Sequence, residues 1–146
     1  MPDQNRIDHI VWAVNPDHLD GYAARLAELF DTEFEEFTGN PGLRVLVSWE
    51  AGLEIAIATG DPSPAGDAVR AFLEKNGEGL FAVVHRVPDI KAAAERARGL
   101  GWPVAAGVSG NPETDKLWKG ISRLREQFVG PFANTLLFFG EVDYRD

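Results

Sequence analysis

Arg6-Ile-Asp-His-Ile-Val-Trp-Ala-Val14 is an apolar, β-branched run of strand length. It returns in altered form as Gly79-Leu-Phe-Ala-Val-Val-His-Arg-Val87. Alternate residues of a strand share a face, so His9, Val11 and Ala13 point one way and Ile10, Trp12 and Val14 the other. An amphipathic helix follows each run. After the first, Leu19, Tyr22, Ala23, Leu26 and Leu29 fall at helical spacing. After the second, Ile90, Ala93, Ala94, Ala97 and Leu100 do the same. The five helix positions map onto each other at a constant offset of 71 residues, and His9 maps onto Ala82 and Val14 onto Val87 at 73. A constant offset over a whole helix face marks a duplicated module.

The remaining elements follow from turn chemistry. Asn15-Pro-Asp17 breaks the first strand, and Asp17 suits the helix N-cap. Residues 32–37 read as a strand, Gly39-Asn-Pro-Gly42 as a turn, and Leu43–Trp49 as the returning strand. Leu53–Ala58 is the fourth strand. Ser63-Pro64 is a cap followed by a first-turn proline, and it opens a linker helix that Asn76-Gly77 stops. In the second half, Pro88 ends the strand and Asp89 caps the helix. Trp102–Val108 is expected as a strand, with a short helix around Lys116, Leu117 and Trp118. Strands over Ser122–Val129 and Thr135–Val142 complete the second module. The reading is an α+β chain in a single domain over 1–146: one βαβββ module over 6–59, a linker helix over 63–76, and a second module over 79–142. Related by pseudo-symmetry, the two modules are expected to form an open curved-sheet cup.

Composition narrows the chemistry. The formal charge of −9 opposes general nucleic-acid binding, which needs clustered Lys and Arg. The absence of cysteine excludes disulfides, thiolate metal sites and cysteine nucleophiles. No apolar run approaches the roughly 18 residues of a membrane span, and the polar start Met1-Pro-Asp-Gln-Asn-Arg6 is unlike a signal peptide. A soluble cytoplasmic protein is the expectation. Acid–base or metal chemistry must draw on His9, His18, His85 and the carboxylates.

Three features together carry a resemblance: Asp8-His9-Ile10 on the opening strand, the duplication, and the linker Ser63-Pro64 … Phe72-Leu73-Glu74-Lys75-Asn76-Gly77-Glu78-Gly79-Leu80. Over residues 6–142 the chain resembles the vicinal oxygen chelate superfamily, which holds glyoxalases, bleomycin-resistance proteins, extradiol dioxygenases and methylmalonyl-CoA epimerases. The linker and Val87-Pro-Asp89-Ile90 look most like the epimerase branch. The resemblance implies a divalent metal (Mg, Mn, Fe, Co, Ni or Zn) in the cup. His9 would be the first ligand and Glu54 the second. The third position falls on Ala82. The fourth lies on the last strand, where Glu141 is the carboxylate, while ungapped register points to Gly140 or the neighbouring phenylalanines.

Two functions are therefore expected. One is an enzyme of lyase, isomerase or dioxygenase class acting on a small carbonyl- or enol-bearing molecule. There His9 and Glu54 act as catalytic groups or, with Glu141, as metal ligands. The other is a metal-free binding protein of the drug-sequestering kind. The substrate pocket is expected from Val11, Ala13, Ala56, Ala82, Val84, Arg86 and Phe138. His85 falls on the opposite face, towards the helix. The resemblance also implies a homodimer, with no nucleic-acid or membrane partner.

Overall fold

The computed structural model describes residues 5–37, 41–105, 108–109 and 119–145. The chain divides into two compact units. The central unit is Ile10–Phe81; the terminal unit joins the chain up to His9 with the chain from Ala82 onward. Strand β1 (Arg6–Ala13) runs from the terminal unit into the central one, and β5 (Gly79–Arg86) runs back.

The central unit holds α1 (Leu19–Phe30), β2 (Glu35–Phe37), β3 (Leu43–Ser48), β4 (Leu53–Ala58) and α2 (Pro64–Asn76). Its strand order is β2-β3-β4-β1. The first two pairings are antiparallel and β4 with β1 is parallel. The terminal unit holds α3 (Ile90–Gly99), β6 (Val108–Ser109), β7 (Ile121–Phe132) and β8 (Thr135–Tyr144). Its order is β6-β7-β8-β5, again with two antiparallel pairings and a final parallel one. Both modules thus have the expected βαβββ order and the same pairing scheme. In each, the parallel pair needs a crossover, which the helix supplies.

Apolar periodicity positions the helices. Val14, Leu19, Ala23, Ile55 and Ile57 form a buried cluster, and Trp12, Tyr22, Leu26, Phe34 and Leu46 pack on it. Each large side chain closed off in this way stabilises the unit by about 1.5–3 kcal/mol. Ser63 caps α2 by accepting from Gly66 N at 2.9 Å, and Asp89 caps α3 by accepting from Ala92 N at 3.1 Å.

Several expectations change. A 3₁₀ turn over Pro16–His18 precedes α1, and Asp17 provides no cap. The carboxylate of Glu78 takes that place: it accepts from Asn15 N (2.8 Å), His18 Nδ1 (2.8 Å) and Tyr22 OH (2.7 Å). Strand β2 is shorter than expected, because Asp31 turns left-handed (φ 49°) and residues 32–34 serve as the exit from α1. Trp102–Ala105 is not a strand. Pro103 has no N–H to donate, and Val104 N turns back onto Trp102 O at 2.9 Å, curling the backbone. Leu29 and Leu100, expected on apolar faces, are 73% and 72% exposed. The expected helix around Lys116, Leu117 and Trp118, and part of the expected turn at Gly39-Asn40, lie outside the described residues.

Candidate functional site

The polar centre of the terminal unit begins with two adjacent residues of β1. His9 is buried, with 1% of its surface exposed. Its Nδ1 lies 2.6 Å from Asp8 Oδ1. The Asp8 side chain is itself closed off from solvent. Its other oxygen, Oδ2, accepts from Arg86 Nε (3.0 Å), Arg86 Nη2 (2.8 Å) and Tyr144 OH (2.6 Å). Arg86 also stacks over the Tyr144 ring, with Cζ 4.9 Å from the centroid.

This arrangement sets the charge states. Burial pushes the Asp8 carboxyl up, but the hydrogen bonds from His9, Tyr144 and Arg86, with the electrostatic attraction of the His9 ring, outweigh it. The net shift is below the ordinary 3.8. Tyr144 moves the other way: burial and its bond to Asp8 raise the phenol well above its ordinary range, so it remains a donor. Burial lowers the Arg86 guanidinium, but its bond to Asp8 prevails and the net shift is upward. With Asp8 ionised, the partner assigns the His9 proton to Nδ1. Nε2 points the other way, where Glu126 Oε2 stands 3.5 Å off on a side chain 15% exposed. A ring nitrogen and a carboxylate oxygen at that distance suit a proton, a donor group or a cation between them.

Sheet register explains the position of Glu126. Gly140 on β8 pairs with Arg86 on one side and Glu126 on the other, so all three share a face. A Cβ at Gly140 would lie 2.7 Å from Val84 Cγ1, which is closer than packing allows. Glu126 and Tyr144 went unrecognised in the sequence. One signal was available: on a strand, Leu124, Glu126 and Phe128 alternate onto one face, which makes Glu126 a lone carboxylate among apolar neighbours.

The other expected residues fall as follows. Glu54 is half-buried in the central unit, in register with Val11 and Val47. Register also selects its counterpart. Val11 pairs with Glu54, and the matching Val84 pairs with Phe138. In the second module the positions that match His9 and Glu54 are thus Ala82 and Phe138, and the Phe138 ring packs 5.5 Å from that of Phe128. Glu141 Oε1 accepts from Ile90 N at 2.7 Å at the start of α3, and its Oε2 faces Arg123 (3.7 Å) and Arg125 (4.0 Å). Val11, Ala13, Ala56, Ala82 and Val84 are all buried. His85 lies on the α3 side, its Nε2 2.8 Å from Asn5 Oδ1. Among the described residues, no group of three or more His, Asp and Glu side chains is placed to hold a metal ion, and no helix is long and apolar enough to cross a membrane.

The βαβββ order of each module, closed by a parallel β1–β4-type ladder, is the fold expected from the resemblance in the sequence. Solved structures bear this out. The chain is similar to a Streptomyces coelicolor methylmalonyl-CoA epimerase variant in complex with 2-nitronate-propionyl-CoA (TM-score 0.69, 22% identity, covering 94% of this chain and 97% of that one). It is similar to the methylmalonyl-CoA epimerase of Mycobacterium tuberculosis (TM-score 0.64, 20% identity, 97% and 89% covered). A hypothetical protein from Bacillus halodurans C-125 also matches (TM-score 0.68, 16% identity, 97% of each chain). No sequence family and no curated protein matches the chain.

Proposed function

We propose that the protein is an enzyme of isomerase or lyase type. It acts on a small carbonyl- or enol-bearing organic molecule, and His9 exchanges a proton with it through Nε2. The observation that carries this reading is the buried Asp8–His9 pair. Asp8 holds Nδ1 protonated and orients the ring, the arrangement a histidine general base requires. In the step, the C–H bond next to the carbonyl breaks, its proton moves to Nε2, and the electron pair passes into the carbonyl to give an enolate. The Glu126 carboxylate, 3.5 Å away, stabilises the imidazolium that forms. Reprotonation of the enolate on its opposite face or at a neighbouring carbon completes an isomerisation; departure of a β-substituent with its electron pair, as the carbonyl re-forms, completes a lyase reaction.

The same geometry suits a divalent ion. An imidazole whose Nδ1–H is held by a carboxylate is a well-oriented Nε2 ligand, and Glu126 supplies an oxygen beside it. A metal bound there supplies Lewis-acid polarisation of the substrate carbonyl. The sequence expectation that His9 serves as a ligand stands as part of this proposal, as do the homodimer and the cytoplasmic setting. The alternative of a drug-sequestering protein draws support from the Phe128–Phe138 pair, which gives the second module an aromatic surface where a ligating side chain was expected.

The test is hydrogen exchange in D₂O, followed by NMR, with a panel of 2-oxo acids and acyl-CoA thioesters. The panel starts with methylmalonyl-CoA, the compound bound by one structural neighbour. Wild-type protein is expected to exchange the carbon-bound hydrogen of at least one compound. His9→Gln should slow this by about 10²–10⁴-fold. Elemental analysis of the untagged protein, before and after reconstitution, decides between base and ligand. Exchange that is unaffected by His9→Gln, or absent across the panel, overturns the reading.

A further inference from the structure

The terminal unit holds a cavity on the helix side of its sheet, lined by none of the residues of the Asp8–His9 centre. Its volume is about 410 Å³, within the range of small-molecule sites. Val83, Leu137 and Phe139 form its floor, and Ala93 and Ala97 of α3 its roof. The duplication explains the space. Ala93 and Ala97 correspond to Tyr22 and Leu26, which in the central unit reach down onto the core. Two large side chains have become methyl groups, and α3 cannot fill the gap beneath it. Leu100 (72% exposed) and Trp102 (37% exposed) stand at the rim.

Charge distinguishes this cavity from the cleft beside α1. That cleft, about 670 Å³, has Arg25 in its lining but also Glu28 and Glu78. Arg96 is the counterpart of Arg25, again 71 residues on. Around the α3 cavity Arg96 and His85 are the only titratable lining groups among the described residues. Arg96 makes no ion pair among them. In a chain with 23 acidic and 14 basic residues, an apolar cavity with a guanidinium and no carboxylate in its described lining is a selective feature.

We propose that this cavity binds a medium-chain carboxylate, its apolar tail under α3 and its carboxylate on the Arg96 guanidinium. The fit is one of shape and charge: an apolar interior sized for a chain of several methylenes, with a planar donor fork at its edge.

Calorimetric titration with octanoate and with octan-1-ol tests this. Octanoate is expected to bind one to one, more tightly than the alcohol, and to change the fluorescence of Trp102; Trp102→Phe should remove that change. Arg96→Gln alters an exposed side chain and leaves the fold intact. It should weaken octanoate by about three- to tenfold and leave octan-1-ol unchanged. Ala97→Leu fills the cavity and should weaken both ligands by at least about tenfold. His9→Gln should leave binding as it is, separating this site from the one proposed above. Absence of saturable octanoate binding overturns the proposal. So does an Arg96→Gln affinity within about twofold of wild type, whatever the fate of Ala97→Leu.

Discussion

At the scale of the residue, Asp8 matters most. It is a buried anion satisfied by one imidazole, one guanidinium and one phenol. Removing one partner of such a group strands the others, at a cost of about 3–5 kcal/mol. Asp8→Asn is therefore expected to lower unfolding stability by that amount in urea titrations at pH 7. The pH dependence has a definite sign. Asp8 is more acidic in the folded chain than its ordinary 3.8. Its stabilisation is fully present above that value and is lost as pH falls below it, through the folded pKa. Wild-type stability should decline in that acid window, and the Asp8→Asn variant should show a shallower decline. In the proposed reaction Asp8 would position His9, so Asp8→Asn should shift the pH profile of substrate exchange as well as its rate. Only part of this centre was legible beforehand. Asp8 and His9 are neighbours in the chain and stood out together. Tyr144 lies in a terminal stretch without periodicity, and Glu126 on a strand whose pairing register the sequence does not state. Pairing across β5, β8 and β7 brings them to the same place.

At the scale of the element, the ends decide more than the middles. Helix α1 lacks a cap of its own, and the carboxylate of Glu78, some sixty residues on, receives the Asn15 N–H. Glu78→Ala should cost about 1 kcal/mol and lower the melting temperature by about 2–4 °C, read by calorimetry. Gly42 shows the opposite dependence, on having no side chain. It sits at φ 79°, and a Cβ there would overlap Ser63 Oγ, the atom that caps α2. Gly42→Ala combines a left-handed backbone with a displaced cap. It is expected to destabilise by about 1–3 kcal/mol, whereas Gly60→Ala, with open space around it, should be near neutral. Periodicity placed α1, α2 and α3 closely because one face of each is buried. It misplaced Leu29 and Leu100 because the last helical turn runs past the edge of the surface it packs on. It misread Trp102–Ala105 because local composition does not show where Pro103 leaves the chain without a ladder partner.

At the scale of the molecule, the two units repeat one pairing scheme with different chemistry. Strand β1 carries His9 where β5 carries Ala82, and β4 carries Glu54 where β8 carries Phe138. The excess of acidic residues governs behaviour in solution: net charge is −9 at pH 7 and the pI is about 4.8. Solubility, followed by light scattering, should pass through a minimum near pH 4.8. Because the Asp8 centre is still ionised there, the precipitate is expected to redissolve as folded protein. Unfolding should begin only at lower pH.

The sequence by itself determined the duplicated βαβββ architecture, because hydrophobic periodicity and a constant offset are local properties that survive in a one-dimensional string. It also determined that the second module lacks the histidine of the first. Tertiary structure alone decided which carboxylate meets His9. Glu141, one residue beyond Gly140, alternates to the other face and closes the start of α3, whereas Glu126, on the neighbouring strand, falls beside Gly140. A shift of one residue along a strand reverses its face, and only the pairing of β7 with β8 sets that register.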